Sequence, residues 1–196
     1  MNVVVVKYSA GNIGSVLNAL ERIGCRAIVS DDKTMIQSAD KIILPGVGHA
    51  RVAMNDLQTR GLDKLILNLK KPILGICIGM QLMCKYSDEG NTECLGIFDT
   101  QVRQFNQNGN LKVPHMGWNN IKTIGKNRLF EGLPKNEFVY YVHSYYADLC
   151  DNTIATTEYG IEYCAALQKE NFYALQFHPE KSGDAGDRIL TNFLNL

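Results

Sequence analysis

The sequence predicts an open α/β sheet with a parallel core, helices on both faces and antiparallel hairpins in its carboxyl half. Three observations predict it. Short apolar runs of strand length alternate with helix-spaced apolar residues through the first half, the texture of a parallel sheet covered on both sides. After Ser87 the pattern shortens to alternating segments of hairpin and meander type. Two of the first-half runs also end in glycine-rich turns, at the carboxyl ends of strands where open α/β sheets place their ligands.

The elements follow in order. Residues 3–6 read as a buried strand, and Ile13, Val16, Leu17, Leu20 and Ile23 keep helical spacing until Gly24, a helix terminator. Segments 27–29, 41–44 and 72–76 are further strands, with helices near 50–60, 62–70 and 78–86. In the second half, strands are expected at 101–105, 118–124, 138–142 and 154–158, with a turn at Asn108-Gly109. Segments 163–168 and 172–177 flank Lys169-Glu170-Asn171 as one more hairpin, and 188–194 closes the chain as a helix. No linker, repeat or low-complexity tract interrupts 1–196, so one domain is expected.

Composition narrows the function. Over 196 residues, 20 Lys+Arg balance 20 Asp+Glu, so no net field gathers nucleic acid or an anionic membrane, and neither is expected as a partner. The longest apolar runs are too short to span a bilayer. The amino terminus shows no basic prefix and no small-residue cleavage site, which points to a cytoplasmic protein. Six cysteines without a C-x-x-C pair, and four histidines without zinc spacing, give no metal site. Neither Gly11-Asn12-Ile13-Gly14 nor the loop around Val47 matches a dinucleotide or phosphate-cradling motif, and no cofactor is expected.

The chemistry concentrates in three places. The run Gly75-Ile76-Cys77-Ile78-Gly79 sets a cysteine between glycines at the junction of strand and helix, the nucleophile-elbow pattern with a thiol in place of a hydroxyl. The positive end of the following helix favours the thiolate, the nucleophilic form. Taken alone, a buried structural cysteine in a tight turn fits as well. About 100 residues later, Phe177-His178-Pro179-Glu180 offers a base and an orienter, since Pro179 biases His178 toward an extended backbone and the two side chains, two apart, then project together. A strand-end histidine beside a surface glutamate is the plainer alternative. The third place is Pro45-Gly46-Val47-Gly48, whose amides, with that of Ile78, suit an oxyanion site. Glycines on both sides of Val47 let that peptide reorient.

These motifs, PGVG, GICIGMQ and FHPEKS in this order and spacing, resemble the class I (triad-type) glutamine amidotransferases over nearly the whole chain. Within that family, the early Tyr8-Ser9-Ala10-Gly11-Asn12 loop, PHMGWN at 114–119 and YVHSYY at 141–146 look like the glutaminase subunits of imidazole glycerol phosphate synthases. The resemblance implies a Cys77, His178, Glu180 triad, an oxyanion site at Val47, Gly48 and Ile78, and L-glutamine held by Gln81, His143, Ser144 and Tyr145. It implies a heterodimer with a (β/α)8 synthase subunit that receives the ammonia, with Asn12, Met116, Trp118, Tyr140 and Lys181 on the face toward it. Three alternatives stay open: the same glutaminase serving a paralogous synthase, such as one that aminates a surface sugar, a non-catalytic α/β binding module, and a stand-alone cysteine hydrolase of a related fold that needs no partner.

Overall fold

The computed structural model describes residues 1–106 and 111–196. The expected turn at Asn108-Gly109 lies outside the described residues. The parallel strands are β1 (Val3–Val6), β2 (Ala27–Ser30), β3 (Lys41–Leu44) and β4 (Ile73–Ile76), side by side in the order β2-β1-β3-β4. Between them lie α1 (Ile13–Arg22), α2 (Lys33–Ser38), α3 (Ala50–Arg60) and α4 (Leu62–Leu67), and α5 (Ile78–Met83) follows β4 directly. The second half adds β5 (Tyr86–Ser87), β6 (Thr92–Glu93), β7 (Gln101–Gln104), β8 (His115–Thr123), β9 (Asn136–His143), β10 (Tyr145–Ala147), β11 (Thr153–Tyr159), β12 (Ile161–Lys169) and β13 (Phe172–Leu175), then α6 (Gly183–Leu194).

One strand joins the two textures. β13 pairs antiparallel with β12 through the expected hairpin, Lys169 opposite Phe172, and parallel with β4, Leu175 opposite Ile76. The chain therefore delivers the segment after β13 to the same sheet end at which β4 delivers Cys77.

The apolar alternation of β1 divides the core. Val4 and Val6 face a cluster with Ile36, Leu57, Leu62 and Met80, whereas Val3 and Val5 face Leu20, Ile189 and Phe193. Helices α2–α5 thus cover one face and α1 with α6 the other, so both sides of the parallel strands are sealed from water.

Several boundaries differ from expectation for physical reasons. α2 has one buried residue, Ile36, too little for a periodic signal; its start is fixed by Asp32, whose carboxylate accepts from the Met35 amide at 2.8 Å. α6 begins at Gly183, five residues before Arg188. Its glycine-containing first turn has poor propensity but packs against backbone: a Cβ on Gly186 would fall 1.8 Å from the Pro179 carbonyl oxygen. β8 begins at His115, because its ladder with β9 runs back to His115 opposite His143.

Candidate active site

Cys77 sits between β4 and α5 at φ 53° and ψ −107°, a left-handed φ that a side chain adopts only when its surroundings impose it. The glycines on either side impose it. A Cβ on Gly75 would lie 2.8 Å from the carbonyl carbon of Gly79, and one on Gly79 would lie 2.0 Å from the Leu44 carbonyl oxygen. The sharp turn fits only where backbone meets backbone. Cys77 Sγ is left with weak contacts, 4.0 Å from the Val142 carbonyl oxygen and 3.8 Å from Gln176 Nε2.

His178 follows β13 with an extended backbone, φ −99° and ψ 94°, and Pro179–Lys181 turns once as a 3-10 helix. That turn brings the Glu180 carboxylate to His178, where Nδ1 donates to Oε1 at 2.7 Å, with both side chains almost wholly buried. Nδ1 thus carries a proton, and Nε2 is buried without a geometric hydrogen-bond partner among the described residues. Burial alone would lower the proton affinity of this imidazole. The neighbouring Cys77 sulfur and the Glu180 carboxylate outweigh it and raise the pKa above the ordinary histidine value. Sulfur, imidazole and carboxylate are therefore one coupled group.

A cavity of about 250 Å³ opens beside the sulfur, lined by Cys77, Val47, Gly48, Ile78, Gln81, His143, Ser144 and Tyr145, together with Glu89, Pro114 and Val142. It is a little below the roughly 300–1,000 Å³ of drug-sized sites, a fit for one amino acid. Gly48 holds φ 131°, while the Val47 carbonyl accepts from the Gly11 amide at 3.2 Å. Gly46 is pinned in turn, since a Cβ there would meet Ile78 Cγ2 at 2.2 Å. A larger hollow of about 600 Å³ surrounds Lys126, Arg128 and Glu131, but no nucleophile and base converge on it. Among the described residues no group of three or more His, Cys, Asp or Glu is placed to hold a metal ion.

The family described as "Glutamine amidotransferase class-I" matches residues 4–196. The chain belongs to that family. It is 57% identical over 199 residues to an imidazole glycerol phosphate synthase subunit HisH of Bacteroides thetaiotaomicron, covering 100% of both chains. It is 45% identical to the subunit of that name in Pectobacterium atrosepticum, again covering 100% of each. The fold of this amidotransferase matches a putative GMP synthase protein of Thermoplasma acidophilum at TM-score 0.76 and 22% identity, covering 100% of this chain and 93% of that one. It also matches PurLQS of Thermotoga maritima at TM-score 0.74 and 22% identity, covering 99% and 97%.

Three polar residues at or behind this candidate site escaped sequence reasoning. Glu89 reaches the cavity from the β5–β6 loop, its carboxylate anchored by the Ala50 amide at 2.6 Å. Gln176 accepts from Gln81 Nε2 at 3.0 Å, and the Tyr145 carbonyl accepts from the same nitrogen at 3.0 Å, so both N–H groups of that amide are engaged. Tyr163 lies behind the cavity wall between His115 and His143. Gln176 stands two residues before His178 at a strand end, the one local signal available.

Of the residues assigned to the partner side, Met116, Trp118 and Tyr140 gather on β8 and β9, and Lys181 ends the 3-10 turn after His178. Trp118 pairs with Tyr140 and Met116 with Val142; Met116, Trp118 and Phe138 are 62%, 56% and 57% exposed, while the alternate residues Val139 and Tyr141 are buried. Lys181 Nζ stands 5.8 Å over the Tyr140 ring. This apolar face is tied to the site behind it, because the His178 amide donates to the Tyr140 carbonyl at 2.9 Å. Asn12 is turned inward, its amide donating to Glu180.

Proposed function

We propose that this chain is the glutaminase subunit of an imidazole glycerol phosphate synthase. It hydrolyses L-glutamine through Cys77, His178 and Glu180 and hands the ammonia to a (β/α)8 synthase subunit in histidine biosynthesis. The observation that carries the reading is a cysteine forced to positive φ at the mouth of an amino-acid-sized cavity, coupled to a buried imidazole whose other nitrogen is bound by a carboxylate.

In this mechanism His178 Nε2 takes the Cys77 proton, and the sulfur attacks the side-chain amide carbon of glutamine. Amides at Gly48 and Ile78 receive the oxyanion. The C–N bond breaks as the imidazolium returns its proton to the departing nitrogen, leaving a γ-glutamyl thioester that a water, deprotonated by His178, hydrolyses to glutamate. The Glu89 carboxylate at the cavity wall suits the α-ammonium group of the substrate, and Gln81 Oε1 a second donor.

The Val47–Gly48 peptide supplies the gate. With its carbonyl bound by the Gly11 amide, its N–H points the opposite way, and docking at the adjoining face selects the orientation that meets the oxyanion. The face of exposed Met116, Trp118 and Phe138 with half-buried Tyr140 supports a protein partner there, aromatic residues being favoured at interface centres.

The test measures glutamate and ring product together, with and without the synthase subunit and its nucleotide. Coupled, partner-dependent turnover that is lost in Cys77→Ala, along with labelling by an electrophilic glutamine analogue, is expected. Full activity of the isolated chain would remove the gate, and no glutamate from the complex would remove the glutaminase.

A further inference from the structure

Asn12 immediately precedes α1, where an asparagine ordinarily accepts from an amide of the first helical turn. Its side chain makes no capping bond, and its backbone lies at φ 69° and ψ 20°, in the left-handed region. The amide instead crosses 168 positions of sequence, and Nδ2 donates to Glu180 Oε1 at 2.6 Å. A carboxylate only accepts, so nitrogen is the end of the amide that faces it. The same oxygen receives His178 Nδ1 at 2.7 Å, while Oε2 is buried without a partner among the described residues. A buried carboxylate so sparsely bonded depends heavily on each donor it has.

We propose that Asn12 is a positioning residue for the triad, holding Glu180 in the rotamer that receives His178 and so keeping Nε2 free for Cys77. The inference rests on the glutaminase reading above. The adjacent Gly11 amide binds the Val47 carbonyl at 3.2 Å. Two consecutive residues of the β1–α1 loop therefore grip the orienting carboxylate and the candidate oxyanion loop, and set the register of one against the other. The forgone helix cap and the left-handed backbone fit a residue whose side chain is committed to this contact.

The experiment uses the complex with the synthase partner at saturating concentration, so that any weakening of docking is removed. Asn12→Ala is expected to lower kcat by roughly 10–100-fold, the usual loss when a group that orients another is removed, with KM for glutamine nearly unchanged. Asn12→Asp keeps the shape but sets a second carboxylate against Glu180. Its activity relative to wild type is expected to climb about tenfold as the pH falls from ~8.5 to ~6, because two facing carboxylates take up one shared proton that replaces the lost N–H donor. A purely structural loss leaves that ratio flat. Should Asn12→Ala fail to fold, the pH dependence of Asn12→Asp alone decides. Wild-type kcat in Asn12→Ala, or a flat ratio in Asn12→Asp, overturns the inference, whereas an inactive wild-type complex overturns the glutaminase reading instead.

Discussion

Two buried histidines of this amidotransferase lie close enough to feel each other's charge and respond to burial in opposite ways. His143 is driven down to about 3, chiefly by desolvation, with only a backbone carbonyl, that of Tyr145, pulling the other way. His178 is as buried, yet the Cys77 sulfur and the Glu180 carboxylate reverse the effect and raise its proton affinity. Exclusion from water therefore does not decide whether an imidazole can work as a base. An anionic neighbour does, and of these two the fold supplies one only to His178. His143, with His115 held at about 4 by burial, is kept neutral and serves as wall material.

The largest expected effect narrows that difference. Glu180→Gln keeps size and hydrogen-bonding shape but withdraws the charge, so His178 should titrate lower than in wild type, with only the Cys77 sulfur left to oppose burial, and no longer hold its tautomer. A fall in glutamine turnover of about 10³–10⁴-fold is expected, the scale seen when an orienting carboxylate becomes an amide. Histidine NMR titration of wild type and variant checks the first half and glutamate release the second. An unchanged His178 titration would mean that the Cys77 sulfur alone separates the two histidines.

That contrast was only half legible in the sequence. Cys77, His178 and Glu180 could be read because short-range rules place them: glycines two residues either side of the cysteine, and a proline that sets the backbone between histidine and glutamate. The parallel strands were readable for the same reason, each being a compact apolar run. Glu89 was not, because its place at the cavity depends on an amide donor 39 residues away in α3. The stacking of His115 between Tyr141 and Tyr159, with centroids at 4.8 and 3.9 Å, likewise depends on β8, β9 and β11 meeting side by side. Trp118 is exposed because strand alternation gives its face of β8 to solvent.

The neutral histidines also predict how stability changes with pH. Their folded values, about 4 and about 3, lie below the ordinary 6.5, so on acidification the unfolded chain binds protons that the folded chain refuses. Stability should fall from pH 6.5 down to about 4, by up to ~1.4 kcal/mol per pH unit for each histidine. His178 acts with the opposite sign: its contribution is full below 6.5 and is lost as the pH rises through its raised folded value. Urea midpoints at several pH values measure the acid slope, and His115→Gln should reduce it by about half. An unaltered slope in that variant would assign acid sensitivity elsewhere.

The smallest effect concerns the hydroxyl between the two neutral rings. His143 Nδ1 lies 2.7 Å from the Tyr145 carbonyl and must carry the proton, which makes Nε2 an acceptor. Asn119 Nδ2, 3.4 Å from His115 Nε2, leaves the His115 proton on Nδ1. The Tyr163 hydroxyl then accepts from His115 Nδ1 at 3.1 Å and donates to His143 Nε2 at 3.2 Å. Because His115 Nδ1 also stands 3.2 Å from His143 Nε2, Tyr163→Phe leaves both rings a partner. A loss of about 1 kcal/mol in stability, with His178 titrating as before, is the expected outcome. If the loss instead reaches the full cost of an unsatisfied buried group, about 3 kcal/mol, the two rings do not bond directly once the hydroxyl is gone, and the proton order assigned to them is wrong.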